Sequence, residues 1–303
     1  MTLASVRKGK IADAPVRILV YGVEGIGKST LAAGAPNPIF LCPEDGTAHL
    51  DVARLPQPRD WQDIDDAVSV LISEPHDYQT FVVDTLDWIE PLIWKDVCEH
   101  GKVDNIEDFG YGKGYTKALD RWRKFLSLLE RLNRERKMHV LLLAHSQVKL
   151  WKNPEGEDFD RYTLKLHDKS AGILKEWCDA VLFANYETFA DKDTRTKRVK
   201  GISTGARLLY TGRTAAFDAK NRCSLPAELP LDWGELWGAI QSGQPAAPDA
   251  LRAAIEQKLG LLGREELTTN VHERIAADPE NATLLSQIDN WLAGKLLQKG
   301  SAE

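Results

Sequence analysis

Eight residues near the start of the chain, GVEGIGKS at 22–29, set three glycines, a lysine and a serine at the spacing Gly-x-x-x-x-Gly-Lys-Ser. That spacing suits a turn wrapped around phosphate. Gly22, Gly25 and Gly27 let the backbone curl so that its N–H groups point inward; Val23, Glu24, Ile26 and Thr30 belong to the same binding segment. Lys28 is expected to reach the β- and γ-phosphates, and the Ser29 hydroxyl to ligate Mg²⁺. An apolar run ending in an acid, FVVD, supplies Asp84, whose carboxylate would hold Mg²⁺ through a water across from Ser29. PEDG at 43–46 offers Glu44 as a general base for an attacking water, with Asp45 as its competitor. VLLLA at 140–144 delivers His145, Ser146 and Gln147, polar groups able to sense a γ-phosphate.

These groups converge only if strands carry them to one edge of a sheet. VRILVYG at 16–22, IFLC at 39–42, QTFVVD at 79–84 and VLLLA at 140–144 are short apolar runs of buried-strand type. Between them, helical spacing is expected from about Lys28 to Gly34, at 60–73, 86–99 and 115–137, the last with an apolar stripe through Leu119, Trp122, Leu126 and Leu129. Alternation of this kind predicts a mostly parallel sheet with its ligands at the carboxyl ends of the strands. Residues 148–168 read as a polar loop, followed by a short helix at 170–177, a strand at 179–186 and antiparallel hairpins to about 222. The expected organisation is a lead-in and oligomerisation arm at 1–15, a core at 16–241, a linker at 242–250 and helices over 251–303.

The 303 residues carry a formal charge of −6, which excludes a protein that coats nucleic acid by bulk charge alone. The charge is uneven, since 191–222 holds nine basic residues against three acids. No run approaches a membrane span and the start lacks an apolar signal core, so a cytoplasmic protein is expected. The four cysteines, Cys42, Cys98, Cys178 and Cys223, have no metal-ligand spacing and read as reduced.

Taken in order, GVEGIGKS, FLCPEDG, FVVDTLDWIE, DFGYGKGY, LLAHSQVK and AAFDAKNR resemble the RecA-like ATPases over about residues 16–240, most closely phage-encoded nucleotide-binding proteins that include single-strand annealing recombinases. The resemblance implies an α/β fold with a RecA-like P-loop NTPase core, its mostly parallel central sheet extended by antiparallel strands, plus a small C-terminal helical region. It implies ATP and Mg²⁺ as ligands, Glu44 as the catalytic glutamate, and His145 or Gln147 as the switch. Lys220 and Arg222 would be cations reaching a neighbour's γ-phosphate, which requires a homo-oligomer, filament or ring. Two loops would meet single-stranded DNA, one through Lys102, Tyr111 and Lys113, the other through Lys149, Trp151, Lys152, Arg161 and Lys165. A single-stranded-DNA-binding protein is a further implied partner. A DNA-stimulated recombination ATPase is the leading expectation, ahead of a ring-forming motor, a P-loop kinase and a nucleotide-dependent switch.

Overall fold

The computed structural model describes residues 14–154, 156–192, 199–242, 248–262 and 265–277, together with Leu285, Ile288, Asp289, Trp291, Leu292 and Lys295. At its centre is β1 (Arg17–Gly22), whose residues 18–22 are all buried. A strand apolar on both faces needs cover on both, and it receives it. Parallel to β1 run β5 (His139–Trp151) and β7 (Ala180–Lys192), one on each side. Beyond β5 follow β4 (Thr80–Asp84), β2 (Pro38–Leu41) and a two-residue edge, β3 (Ala53–Arg54), all parallel. Beyond β7 the sheet turns antiparallel, with β8 (Val199–Tyr210) and β10 (Glu228–Pro230), while β9 (Lys220–Asn221) pairs with β7. The expected mixed architecture is therefore observed.

Alternation of side chains sorts the sheet into two cores. Leu19, Tyr21, Phe81, Val83, Val140, Leu142, Val181 and Phe183 pack on one face with α2 (Trp61–Ser73), α3 (Leu86–Gly101), α4 (Lys113–Glu135) and α5 (Asp168–Trp177). Ile18, Val20, Phe40, Val82, Leu141, Leu143 and Leu182 pack on the other with α1 (Lys28–Ala33) and α6 (Trp233–Ser242). The long amphipathic stretch read at 115–137 is α4, whose Trp122 is fully buried. A separate apolar cluster unites α7 (Pro248–Leu262) and α8 (Glu265–Ala277) with Leu285, Ile288 and Leu292.

Two expectations change. Residues 148–168 are not a loop: β5 continues without a break to Trp151 and pairs antiparallel with β6 (Phe159–Leu164), from Ser146 against Leu164 to Trp151 against Phe159. Much of this polar stretch belongs to a two-stranded ribbon, whose β6 is tied to the core where the Tyr162 N–H donates to the Ala216 carbonyl. The linker read at 242–250 ends early, because Pro248 opens α7, a position where its missing N–H has no helical partner to lose. The lead-in at 1–13, and 243–247 of the linker, lie outside the described residues, as do 193–198 of the basic stretch.

Candidate active site

The phosphate loop leaves β1 at Gly22 and enters α1 at Lys28. Gly22 pairs with Ala184 of β7, and a Cβ built on it would lie 2.1 Å from the Ala184 carbonyl oxygen, so the strands close up here only around glycine. Gly27 stands at φ 109°, a backbone state that side chains disfavour. No side chain caps α1 and its first turn holds no acid, leaving its leading N–H groups for an anion. The Lys28 side chain is buried and donates to the carbonyls of Gly22 and Val23 at 3.1 and 3.0 Å. Burial lowers its pKa, opposed by the surrounding carboxylates Asp84, Asp87, Glu24 and Glu44.

Parallel register brings the strand ends to this loop. Gly22 pairs with His145, and Asp84 with Leu143. Asp84 is buried; burial raises its pKa, and the nearby Ser29 hydroxyl and Lys28 oppose that rise without reversing it. The Asp84–Thr85 peptide is cis. Glu44, half-buried at the end of β2, is also raised by burial, with His145, Asp84, Asp87 and Lys28 all close enough to act on it electrostatically. Asp45 beside it is exposed. The turn thus aims Glu44, and not Asp45, at the other charged groups.

His145 and Gln147 are tied differently. The Asp87 carboxylate accepts from the His145 backbone N–H at 2.9 Å and from Nδ1 at 2.8 Å. Burial tends to raise the Asp87 pKa, but these hydrogen bonds outweigh it and the net shift is downward. The Gln147 amide donates to the Leu164 carbonyl across the ribbon, which fixes it as a strand clasp.

Two residues at the loop were not anticipated. Asp87 lies within the FVVDTLDWIE segment, but only the first turn of α3 turns it toward His145. Arg207, on β8, donates from Nη1 to the Ile26 carbonyl at 3.4 Å and covers Gly27, where a Cβ would stand 2.8 Å from it. Its approach depends on long-range antiparallel pairing of β8 with β7, which leaves no local signature.

Several residues expected to meet DNA or a neighbouring nucleotide do other work. Arg161 is buried, donates to the Thr214 and Phe217 carbonyls and stacks over Trp151 at 4.8 Å, so it staples the ribbon to the core. Lys165 lies at the foot of the ribbon, its N–H bonded to the His145 carbonyl and its ammonium 3.8 Å from Glu24 of the phosphate loop. Lys220 donates to the carbonyls of Lys175, Glu176 and Cys178, closing the C-terminal end of α5 toward the start of β1, away from the phosphate loop. Arg222 is exposed nearby. Lys149 pairs with Asp168 at 2.7 Å, and Lys102, Tyr111, Lys113 and Lys152 are exposed.

Donor chemistry at the loop fits Mg²⁺: the Ser29 hydroxyl and the buried Asp84 carboxylate stand near each other, with the further acids Glu44 and Asp87 around them. Among the described residues no cluster of three or more His, Cys, Asp or Glu forms a dedicated metal cage, and no helix is long and apolar enough to cross a membrane.

No curated protein matches the chain. Among solved structures, the crystal structure of the RadB recombinase aligns with 65% of this chain and 80% of its own length, at 15% identity and a TM-score of 0.38. Residues 14–223 match the family model described as AAA domain. The match covers more than two thirds of the sequence and takes in the phosphate loop, Glu44, Asp84 and His145 together; the chain belongs to the AAA-domain family.

Proposed function

We propose that this chain is a Mg²⁺-dependent ATPase that works as a homo-oligomer on single-stranded DNA in a recombination reaction such as strand annealing or pairing. The observation that carries the reading is the convergence of Lys28, Ser29, Glu44, Asp84 and His145 on one phosphate loop.

In this reading the loop amides and Lys28 bind the β- and γ-phosphates, Lys28 exchanging the carbonyls of its own loop for phosphate oxygens. Ser29 and Asp84 would hold Mg²⁺, which supplies positive charge to the phosphate oxygens when bound. Glu44 orients and deprotonates the attacking water; the burial that raises its pKa makes its carboxylate a better base. Arg207 adds a cation on the Gly27 side of the loop within the same chain. Arg222 is the remaining cation for a neighbour's nucleotide, Lys220 being held at the end of α5.

Support for DNA comes from the ribbon of β5 and β6, which grows directly out of the site and exposes Trp151 and Lys152 beside the half-buried Lys149, with Tyr111, Lys102 and Lys113 as a second exposed set. A partner that binds single-stranded DNA would meet the complex on that strand. The test is ATP hydrolysis with and without single-stranded DNA, in wild type and Lys28→Ala. DNA should raise the rate, binding should weaken with salt, and Lys28→Ala should lose both hydrolysis and nucleotide affinity. A rate indifferent to DNA removes the recombination reading; near-normal hydrolysis by Lys28→Ala removes the ATP site.

A further inference from the structure

His145 stands level with the first glycine of the phosphate loop, and what surrounds it is more specific than a polar residue at a strand end requires. Both oxygens of the Asp87 carboxylate are engaged by the same residue, Oδ1 by its backbone N–H at 2.9 Å and Oδ2 by Nδ1 at 2.8 Å. The Asp87 side chain is 5% exposed and that of His145 15%, so this is not a solvated surface pair. A carboxylate in the first turn of a helix is favoured in its ionised form by the N-terminal N–H groups. An ionised carboxylate only accepts, so the imidazole nitrogen facing it must carry the proton. Among the described residues no hydrogen bond uses the other nitrogen, Nε2. Gln147, the competing polar residue, has its amide on the Leu164 carbonyl.

We propose that Asp87 is a positioning residue for phosphoryl transfer: it locks His145 with Nδ1 protonated and Nε2 presented to the terminal phosphate and its attacking water. In this proposal Asp87 acts through His145, which holds both of its carboxylate oxygens. The lock also reaches the ribbon, because the His145 carbonyl accepts from the Lys165 N–H while Lys165 faces Glu24 of the phosphate loop. The assignment of role rests on the ATPase reading above; the assignment of tautomer does not.

Two measurements test it. The first is ¹⁵N NMR of the histidine-labelled full chain, without nucleotide. His145 should show the Nδ1-protonated state in wild type and lose it in Asp87→Asn; a His145 protonated on Nε2 alone in wild type overturns the proposal. The second is a double-mutant cycle on ATP hydrolysis with Asp87→Asn, His145→Gln and the pair. Asp87→Asn should lower kcat by about tenfold to a hundredfold with KM and ADP affinity changed less than about threefold, since a misplaced group loses orientation rather than binding. The double variant should be no slower than His145→Gln alone. Effects that multiply, or a loss confined to ADP affinity, overturn the positioning role. If Asp87→Asn does not fold, Asp87→Ser, which keeps an acceptor at the helix start, is read by the same two criteria. A wild-type chain that binds no nucleotide sinks the ATPase reading and the catalytic role with it. A hydrolysing wild type with multiplicative variants sinks only the role given to Asp87.

Discussion

Arg161→Met distinguishes a residue that holds the ribbon from one that holds a ligand. The guanidinium is 4% exposed and donates through Nη2 to the carbonyls of Thr214 and Phe217 at 3.2 and 3.0 Å. Each such bond from a charged donor contributes about 1.5–3 kcal/mol, and losing the donor leaves two acceptors without it. Stacking over Trp151 at 4.8 Å adds about 0.5–2 kcal/mol. Against this, methionine removes the burden of a buried cation, whose pKa burial already pulls down, and it fills much of the same space. Asp218 is not orphaned, because Lys175 at 2.6 Å and Arg213 at 3.6 Å remain beside it. The net loss should fall near ~2–4 kcal/mol, and at roughly 2–4 °C per kcal/mol for a unit of this size the melting temperature should drop by about 5–15 °C. Thermal unfolding followed by tryptophan fluorescence reads the drop, and filter binding of labelled single-stranded DNA is measured on the same sample at 15 °C, where the variant is still folded. An unchanged melting temperature together with weakened DNA binding would refute the stapling argument and return Arg161 to the ligand surface.

Glu44→Gln should lower kcat for ATP hydrolysis by at least about a hundredfold with nucleotide still bound, while Asp45→Asn stays within about twofold, as expected for a base and its exposed neighbour; steady-state phosphate release decides between them. His139 supplies a pH signature of the fold itself. Its Nδ1 accepts from the Val16 N–H at 3.1 Å and burial lowers its pKa, so the folded state binds the proton less readily than the unfolded one. Its stabilising contribution is therefore complete above the ordinary histidine pKa of about 6.5 and is lost as pH falls below it. His139→Gln, which retains an acceptor, should flatten the decline in melting temperature between pH 7.5 and 5.5; an unchanged slope would remove His139 from that limb.

Features that depend on neighbours in the chain could be read directly. The loop at 22–29, the acid closing β4 and the amphipathic α4 all announce themselves through local spacing, and each lies within a residue or two of its expected place. Glu44 and Asp45 could not be separated by type or position; the turn after β2 decides, by half-burying one and exposing the other. Distance in sequence hid the rest. Arg161 looks like any cation beside aromatics until its partners 53 and 56 residues away are known. Lys220 looks like half of a basic pair until α5 ends beneath it. The ribbon reads as a loop because a two-stranded extension beyond the main sheet carries charged residues on positions that a strand covered on both faces would fill with apolar ones.

β5 runs 13 residues from His139 to Trp151 without interruption, so the strand that anchors His145 in the sheet is the same strand that forms the ribbon. Trp151 lies six residues past His145, about 20 Å along an extended backbone. A site and a surface joined by one continuous strand are subject to thermodynamic reciprocity. If the ribbon takes the DNA proposed for it, whatever factor nucleotide imposes on that affinity, DNA must impose on nucleotide affinity. Titrating either one while watching the other measures a single coupling constant from two directions.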